Sequence, residues 1–238
     1  MPGLGTIINT AAIVVGGLLG LLFKNLLTKS MEDTLLKASS VCVLFIGIGG
    51  AMQHMLKITD GALETSGSMM LIICFVLGSI VGELLDIEGA FERFGAWLRK
   101  KTHNESDTGF LSAFIHASLT VCIGAMAIVG SIQDGLLGDS SLLCAKAALD
   151  AVIILVMTAS MGKGCIFSAI PVALLQGGVT LLSRVLTPIF TEAAIANLSY
   201  TGSVMIFCVG LNLVWGKKIK VANLLPTLVF AVLYALVF

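Results

Sequence analysis

The chain has 238 residues, of which 57% are hydrophobic and only 12% are charged, and its formal net charge at pH 7 is zero. Soluble domains carry about a quarter charged residues, so this composition excludes an ordinary soluble fold and indicates an integral membrane protein. The zero net charge argues against a nucleic-acid partner, and the sequence lacks the alternating ten-residue segments of a transmembrane β-barrel.

Eight apolar segments are each long enough to be predicted as a membrane-spanning helix. They cover residues 4–23, 35–53, 68–86, 110–132, 142–161, 164–186, 199–216 and 221–238. The first segment lacks a basic region before it and a cleavage-like site after it, so we interpret it as a span rather than a signal peptide. We predict an all-α fold, in which residues 1–238 form a single polytopic transmembrane helical bundle of about eight spans.

Lysine and arginine are unevenly distributed between the two sides of this predicted topology. If the N-terminus lies outside and the segments alternate in direction, eleven basic residues fall on the cytoplasmic side and three fall on the outer side. This asymmetry is typical of the positive-inside rule. It favours eight spans with both termini outside the cell.

Residues 87–101 form an amphipathic linker between the third and fourth segments. At helical spacing its apolar residues share one face, and a basic cluster at 99–101 ends it. The pattern predicts a helix at the cytoplasmic interface, with the basic cluster near anionic lipid head groups. Residues 187–198 carry a weaker version of the same pattern. A solvated connector is the alternative for both linkers.

A shared spacing predicts an internal repeat. In each copy, a small residue and a glycine flank six mostly apolar residues. The segments with this spacing are 40–47, 117–124 and 203–210. Residues 67–161 (spans three to five) therefore resemble residues 162–238 (spans six to eight), and residues 1–66 are a partial copy. Copies of three spans must cross the membrane in opposite orientations, which gives the inverted repeat typical of many transporters. The alternative is that glycine-rich apolar helices resemble one another by composition alone.

Glycines recur at close spacing in most of the apolar segments. In a bilayer, helices associate through small residues that allow close approach, so these glycines predict tight helix packing. They are Gly16, Gly17, Gly20, Gly47, Gly49, Gly50, Gly78, Gly82, Gly124, Gly130, Gly177 and Gly178. The alternative is unwound helix whose backbone binds a solute. Gly124 and Gly210, at matched repeat positions, are the candidates for that role.

Asp150 is the strongest single polar signal in the sequence. It lies near the middle of the fifth segment, where an isolated charge costs at least about 2.5–3.5 kcal/mol. Lys146, one helical turn earlier, is placed to form an ion pair with it, or it extends toward the interface and leaves Asp150 to act alone. Two roles stay open for Asp150: coupling to a proton or cation, and a structural ion pair or hydrogen bond.

Other polar residues also lie within the predicted spans. Four of them are Asn9, His116, Gln176 and Asn212. Each is a candidate for a solute or ion site, and the alternative for each is a hydrogen bond between helices. Glu83, Gln133 and Asp134 are weaker candidates, because they lie near span ends that water reaches.

Motifs for enzymatic chemistry are not found. The six cysteines lie in apolar segments without a C-x-x-C pair, so we interpret them as packing residues rather than as disulfides or zinc ligands. The sequence has no metal-ligand spacing, nucleophile–base pair or cofactor-binding motif. We predict that the protein is not an enzyme and uses no metal or cofactor.

Three stretches of the sequence are similar to a known family. They are PGLGTIINT at 2–10, CIGAMAIVGSIQDGLLGD at 122–139 and FSAIPVALLQGG at 167–178. Over essentially its whole length the chain resembles the YqgA/YdfK family of bacterial inner-membrane proteins, which are grouped under a domain of unknown function. The resemblance implies a helical bundle in the bacterial plasma membrane, and it implies no activity and no site residues.

The leading hypothesis is a secondary transporter or permease for a small solute, with Asp150 coupling transport to a proton or cation. A polar cavity between the repeats would form the pathway, lined by Asp150, His116, Asn212, Gln176 and Asn9, with unwound backbone near Gly124 and Gly210. The alternatives are a passive ion or small-molecule channel, and a non-transporting membrane scaffold or accessory subunit. The expected partners are the lipid bilayer and an unidentified small solute or ion, and a homo-oligomer is left open.

Overall fold

The computed structural model describes residues 2–24, 28–59, 61–104, 107–122 and 125–237. About 84% of the described residues are helical. The α-helices in these ranges are α1 (Leu4–Lys24), α2 (Lys29–Met55), α3 (Ser68–Leu85), α4 (Ile87–Lys101), α5 (Phe110–Cys122), α6 (Ala125–Leu137), α7 (Ser141–Met161), α8 (Ala169–Leu186), α9 (Glu192–Trp215) and α10 (Pro226–Val237). Two short 3₁₀ helices, Lys163–Ser168 and Val221–Leu224, precede α8 and α10. The predicted helical architecture is confirmed.

Six helical segments in the described ranges are long and apolar enough to cross a membrane: α1, α2, α3, α7, α8 with its 3₁₀ start, and α9. α5 and α6 form a bent pair with an angle of 61° between them, and the last apolar segment, Val221–Val237, is shorter. These helices fall on the eight predicted segments. The structure is therefore compatible with a helical membrane protein, and the number of helices that cross the bilayer stays a prediction.

A two-stranded antiparallel hairpin between α2 and α3 departs from the all-α prediction. It pairs β1 (Leu56–Thr59) with β2 (Ala62–Thr65). Gly61, between the strands, has a φ of +79°, a left-handed conformation that glycine adopts without steric cost. The sequence Asp60-Gly61 is a common hairpin signal. Hydropathy does not reveal it, because the strands are short and mostly exposed.

α1 packs along α7 through its predicted small-residue face. Gly16 lies against the backbone carbonyl of Ala151, and Gly20 lies against the backbone carbonyl of Leu155, so a side chain at either glycine would overlap α7. Because the residue numbers rise together along both helices, α1 and α7 run parallel. The predicted close packing is confirmed for these two glycines.

Three other helix pairs run antiparallel. The facing residues are Gly47–Phe207 and Gly50–Ser203 for α2 and α9, Gly78–Thr227 and Gly82–Asn223 for α3 and the α10 segment, and Thr6–Thr180 and Gly17–Ile166 for α1 and the α8 segment. The glycines again permit the close approach. These directions, together with the parallel α1 and α7, are those that regular alternation across a bilayer would produce.

Not every predicted glycine contact is formed. A Cβ atom added at Gly49, Gly177 or Gly178 would meet no described atom within 4 Å. The prediction of tight helix packing within the chain is therefore wrong at these three positions. The reason is that spacing along one helix does not determine which of its faces meets a neighbour.

The bundle has two ends, the hairpin end and the α4 end. At the hairpin end, Met55, Met70 and Tyr200 form an apolar cluster near the hairpin, and the start of α1 meets the end of α6 through Gly5 and Asp134. At the α4 end, α4 packs against α5 and the 3₁₀ helix before α10. Asn9, Asp150 and Gln176 lie between these two ends and are buried inside the bundle.

α4 is the predicted amphipathic helix, and its apolar face packs on protein. Leu98 is buried, and the ring centroids of Phe94 and Phe114, on α5, are 5.9 Å apart. The prediction of a helix over 87–101 is confirmed. The second linker, 187–198, largely forms the first turns of α9, because that helix begins at Glu192.

Candidate functional site

A buried polar cluster lies between α1 and α7. Asp150 is 3% exposed, and its Oδ2 accepts hydrogen bonds from Lys146 Nζ at 2.5 Å and from Asn9 Nδ2 at 3.0 Å. Asn9 is fully buried on the face of α1 that meets α7. The structure thus brings together two of the predicted site residues, Asp150 and Asn9, and shows that Lys146 forms the ion pair rather than extending away.

Lys146 also contacts the end of α5, next to the bend between α5 and α6. Its Nζ donates a hydrogen bond of 2.9 Å to the carbonyl oxygen of Val121. The last carbonyls of a helix have no partner within the helix, so an ammonium group here satisfies one of them and lies at the negative end of the helix dipole. The name interior cluster is used below for Asn9, Lys146, Asp150 and the Val121 carbonyl.

The interior cluster holds two charges away from water. The side chains of Lys146 and Asp150 are 9% and 5% exposed. Moving each ion out of water costs several kcal/mol, an effect that mutual attraction offsets only if the remaining polar atoms are also satisfied. Asn9 Oδ1 is buried without a hydrogen-bond partner among the described residues. The cluster is therefore polar and incompletely satisfied, which suits a site that binds something else.

Gln176 lies close to the depth of the interior cluster, on α8. Thr180, one turn later on α8, is beside Thr6 of α1, with the two hydroxyl oxygens 3.5 Å apart. Because α1 and α8 are antiparallel, Gln176 is at about the level of Asn9. It is 1% exposed, and neither its Oε1 nor its Nε2 has a hydrogen-bond partner in the described part of the chain. A buried primary amide with both atoms unpartnered is a candidate ligand for a polar solute.

His116 and Asn212 occupy a second location, at the α4 end. Both line a cavity of about 120 Å³ between α4, α5 and α9. His116 Nδ1 lies 2.8 Å from the carbonyl oxygen of Ser112 and therefore donates its proton there. The prediction of one cavity lined by all five polar residues is corrected: the structure separates them into an interior group and a group at the α4 end.

Asn212 has a structural role in this second location. Its Oδ1 accepts hydrogen bonds from the backbone N–H groups of Lys218 at 3.0 Å and Ile219 at 2.9 Å. Its Nδ2 donates to the carbonyl oxygen of Ile219 at 2.7 Å. These bonds fix the linker that follows α9, so the amide is not free to bind a solute.

Charged residues surround the same cavity and the adjoining corner of α3 and α4. The name boundary cluster is used below for Glu83, Glu88, Glu92, Lys217 and Lys220. Lys217 Nζ lies 3.0 Å from Glu88 and also contacts Glu92, and Lys220 Nζ lies 2.5 Å from Glu83. Burial lowers the pKa of Lys217, but the hydrogen bonds to Glu92 and Glu88 outweigh this effect and leave the pKa above its ordinary value. The hydrogen bond to Glu83 likewise raises the pKa of Lys220.

Glu88 is the buried member of the boundary cluster, with 5% of its surface exposed. Its Oε2 accepts a hydrogen bond from the backbone N–H of Ala222 at 3.0 Å, and its own backbone N–H donates to Asn223 Oδ1 at 2.7 Å. These bonds tie the start of α4 to the 3₁₀ helix before α10. The boundary cluster therefore joins two distant parts of the chain at the α4 end.

The two glycines predicted to mark unwound helix have different outcomes. Gly210 lies inside the uninterrupted helix α9 and packs against Leu44 of α2. The prediction of unwinding is therefore wrong at Gly210, where the glycine serves helix packing. Gly124 lies outside the described residues, in the two-residue interval between the end of α5 and the start of α6.

Two buried carboxyl groups were not among the main site residues predicted from the sequence. Glu88 is not singled out by the sequence analysis, and Asp134 is expected to contact water. Asp134 is in fact fully buried, because α6 continues to Leu137, beyond the predicted span end at 132. The sequence contains one indication of a shared polar face on this helix: Ser131 and Asp134 are three residues apart, so their side chains lie on the same side. Among the residues that the structure describes, no group of three or more His, Cys, Asp or Glu side chains could hold a metal ion.

Comparisons with known proteins agree with the resemblance found in the sequence. The chain is 26% identical over 224 residues to the uncharacterized membrane protein YdfK of Bacillus subtilis. The matched region covers 94% of this chain and 92% of YdfK. It is 25% identical over 235 residues to the uncharacterized protein YqgA of Escherichia coli, which covers 96% of this chain and 94% of YqgA. No solved structure matches the chain significantly. Since the sequence profile described as "Protein of unknown function (DUF554)" matches residues 4–236, the chain belongs to the DUF554 family.

Proposed function

We propose that this protein is a secondary transporter of the bacterial plasma membrane, which carries a small polar solute and uses Asp150 to couple transport to a proton or cation. The observation that carries the proposal is the interior cluster. It is a lysine–aspartate pair in the bundle interior that also contacts α1 and the end of α5. Ionisable residues at such depth are expensive and typically mark ion or substrate pathways.

The arrangement of Lys146 supplies a physical coupling mechanism. Lys146 is a built-in cation that bonds both Asp150 Oδ2 and the Val121 carbonyl. A proton or cation that arrives at Asp150 competes for the same oxygen and weakens the attraction that holds Lys146. Since Lys146 also contacts the end of α5, occupancy of Asp150 changes the forces at the bend between α5 and α6. Broken or bent helices at the solute site are typical of transporters.

Burial favours a transporter over a passive channel. Asp150 and Gln176 are 3% and 1% exposed, so both are closed off from the two ends of the bundle. A channel in its conducting state would expose its polar lining to water, whereas a transporter passes through an occluded state. Gln176, with both amide atoms unpartnered among the described residues, is the proposed ligand for the solute.

The proposed topology places the α4 end in the cytoplasm and both termini outside the cell. Eight spans are proposed, with residues 67–161 and 162–238 as copies of an inverted repeat. Two features support this topology: the excess of basic residues on one side, and the alternating helix directions seen in the packing of α1, α2, α3 and their partners. A C-terminal reporter found in the cytoplasm would contradict it.

Reconstituted vesicles test the coupling role. Purified protein is placed in liposomes that contain a pH-sensitive dye, and a Na⁺ or K⁺ gradient is imposed across the membrane. We expect the wild type to change the internal pH, and Asp150→Asn to slow that change about tenfold or more, which corresponds to about 1.4 kcal/mol in the transport barrier. Asp139→Asn is the matched control, because Asp139 lies in the exposed linker before α7 and, among the described residues, accepts hydrogen bonds from Ser141.

Other outcomes discriminate among the alternatives. Wild-type flux and pH dependence in Asp150→Asn would show that Asp150 does not couple transport. Single-channel currents without saturable uptake would indicate the passive channel. A folded wild-type protein that supports no cation-driven pH change, no uptake of any polar solute tested and no channel current would favour the scaffold or accessory subunit.

A further inference from the structure

Asp134 is a further buried carboxyl group, on α6, the helix before the one that carries Lys146 and Asp150. It is 0% exposed, and its Oδ2 accepts a hydrogen bond of 3.0 Å from the backbone N–H of Gly5, in the first turn of α1. Its Oδ1 is buried and has no hydrogen-bond partner among the described residues. One oxygen of a fully buried carboxyl group is therefore unsatisfied.

The buried charges near the two aspartates do not balance. Of the buried carboxyl groups in the described part of the chain, Asp150 is paired with Lys146 and Glu88 with Lys217, while Asp134 has no cationic side chain within 4.0 Å. The amide of Gly5 and the start of the α1 dipole supply only about half of one positive charge. Burying a carboxylate without a counter-ion costs far more free energy than the attraction to this partial charge contributes. A bound cation would balance the charge of the Asp134 carboxylate.

Ser131 shares a helix face with Asp134, and further oxygen atoms lie beside the next residue, Gly135. Ser131 lies one turn before Asp134 on α6, and its Oγ is buried without a partner among the residues described. Gly135, the next residue, packs against the hydroxyl of Ser183 and the backbone carbonyl of Thr180, both on α8. Oxygen ligands with one carboxylate suit a hard cation of low charge.

We propose that Asp134 is the anionic ligand of a site for a small monovalent metal cation, Na⁺, at the hairpin end of the bundle. Asp134 Oδ1 and Ser131 Oγ are the two protein atoms assigned to the cation. The site lies next to the interior cluster, because Gly5 and Asn9, which bond the two aspartates, are one turn or about 6 Å apart along α1.

The inference deepens the proposed transport function, but cation binding at Asp134 does not require transport to occur. Binding is therefore measured directly, as the thermal unfolding temperature of the purified protein in lipid nanodiscs. NaCl is titrated against choline chloride at constant ionic strength, and the titration is repeated over a range of pH. A cation that binds only the folded protein raises the unfolding temperature by about 5–10 °C when its concentration is about 100 times Kd.

Three variants locate the effect. We expect the cation response to be retained in Asp139→Asn, an exposed acid at the same end of the bundle, and lost in Asp134→Asn. A saturable response to Na⁺ in choline-matched buffer identifies Na⁺. A response that appears only on acidification, with none to Na⁺, overturns the Na⁺ site. Ser131→Ala keeps the carboxyl group and is expected to weaken binding about tenfold, the effect of about 1.4 kcal/mol.

The proposal is overturned if the wild type does not respond to Na⁺, or if Asp134→Asn responds to Na⁺ as the wild type does. Should Asp134→Asn not fold, Ser131→Ala decides, and an unchanged apparent Kd in that variant overturns the proposal. Failure here is distinct from failure of the transport proposal. Loss of the cation response with intact vesicle flux contradicts only this site, whereas an intact response without flux contradicts only transport.

Discussion

The interior cluster and the boundary cluster contain the same chemistry in two different surroundings. Both pair lysine with carboxylate, and both join helices that are far apart in sequence. The Lys146–Asp150 pair has side chains that are 9% and 5% exposed, whereas Lys220 and Glu83 are 56% and 60% exposed. The interior pair lies within the bundle, and the boundary cluster lies where the chain leaves it.

This difference in exposure decides what each pair contributes. An exposed ion pair contributes about 0–1 kcal/mol, because water already solvates both charges and salt screens them. Removing one partner of a buried pair costs about 3–5 kcal/mol, because the remaining charge is left in a medium that cannot solvate it. The exposed members of the boundary cluster are therefore expected to tolerate substitution, and the interior cluster is not.

Lys146→Met is predicted to have the largest effect. The substitution removes the ammonium group and leaves Asp150 buried beside Asn9 alone, so we expect a loss of about 3–5 kcal/mol in unfolding free energy. The measurement is reversible unfolding of the purified protein in detergent. The double variant Lys146→Met/Asp150→Asn should recover part of this loss, since it removes both charges together.

Lys37→Met is the matched control for that prediction. Lys37 and Asp33 form a pair at the same spacing of four residues, with side chains 71% and 59% exposed. Its loss is expected to cost no more than about 0.5 kcal/mol. Equal effects of Lys146→Met and Lys37→Met would show that burial does not distinguish the two pairs.

Glu88→Ala tests the comparison within the boundary cluster and is predicted to have an intermediate effect. Glu88 is 7% exposed in its side chain and bonds both Lys217 and the backbone N–H of Ala222. Its removal leaves a buried N–H unpaired, at an expected cost of about 1–3 kcal/mol. Glu92→Ala, one turn later, removes a side chain that is 42% exposed and contacts the same Lys217. Its expected cost is below about 1 kcal/mol. A larger loss of unfolding free energy in Glu92→Ala than in Glu88→Ala would contradict the prediction.

The sequence was sufficient for the features that depend on one segment at a time. Apolar length located the helices, because a bilayer imposes the same requirement on every span. The spacing of Lys146 and Asp150 predicted a possible ion pair, because residues four apart share a helix face. Gly16 and Gly20 were likewise identified as a packing face, since small residues permit helix contact wherever the partner lies.

Features that depend on which helices are neighbours could not be predicted from the sequence. Asn9 reaches Asp150 across 141 positions of the chain, and no local pattern indicates that α1 packs on α7. For the same reason His116 and Asn212 were grouped with Asp150 although they lie at the α4 end. Asp134 was misplaced because its burial depends on contacts with α1 and α8, whereas its position near a span end suggested water.

Lys217→Met is predicted to have the smallest effect, and its pH dependence separates it from the interior pair. The pKa of Lys217 is raised in the folded protein because the hydrogen bonds to Glu92 and Glu88 outweigh burial. The stabilisation is therefore complete below the ordinary lysine pKa of 10.5 and is lost as the pH rises through the higher folded value. The Lys217 side chain is 46% exposed, and Glu88 keeps its hydrogen bond from the backbone N–H of Ala222 when Lys217 is removed. We therefore expect a loss of about 1 kcal/mol or less at neutral pH.

The measurement is the difference in unfolding free energy between wild type and Lys217→Met at pH 7 and at pH 11, each at low and high salt. The difference should shrink at the higher pH and at the higher salt concentration, since both remove the attraction between Lys217 and the glutamates. The difference caused by Lys146→Met should respond little to salt, because that pair is buried. If salt weakens both differences equally, water reaches Asp150 as freely as it reaches the boundary cluster, and an occluded interior site is excluded.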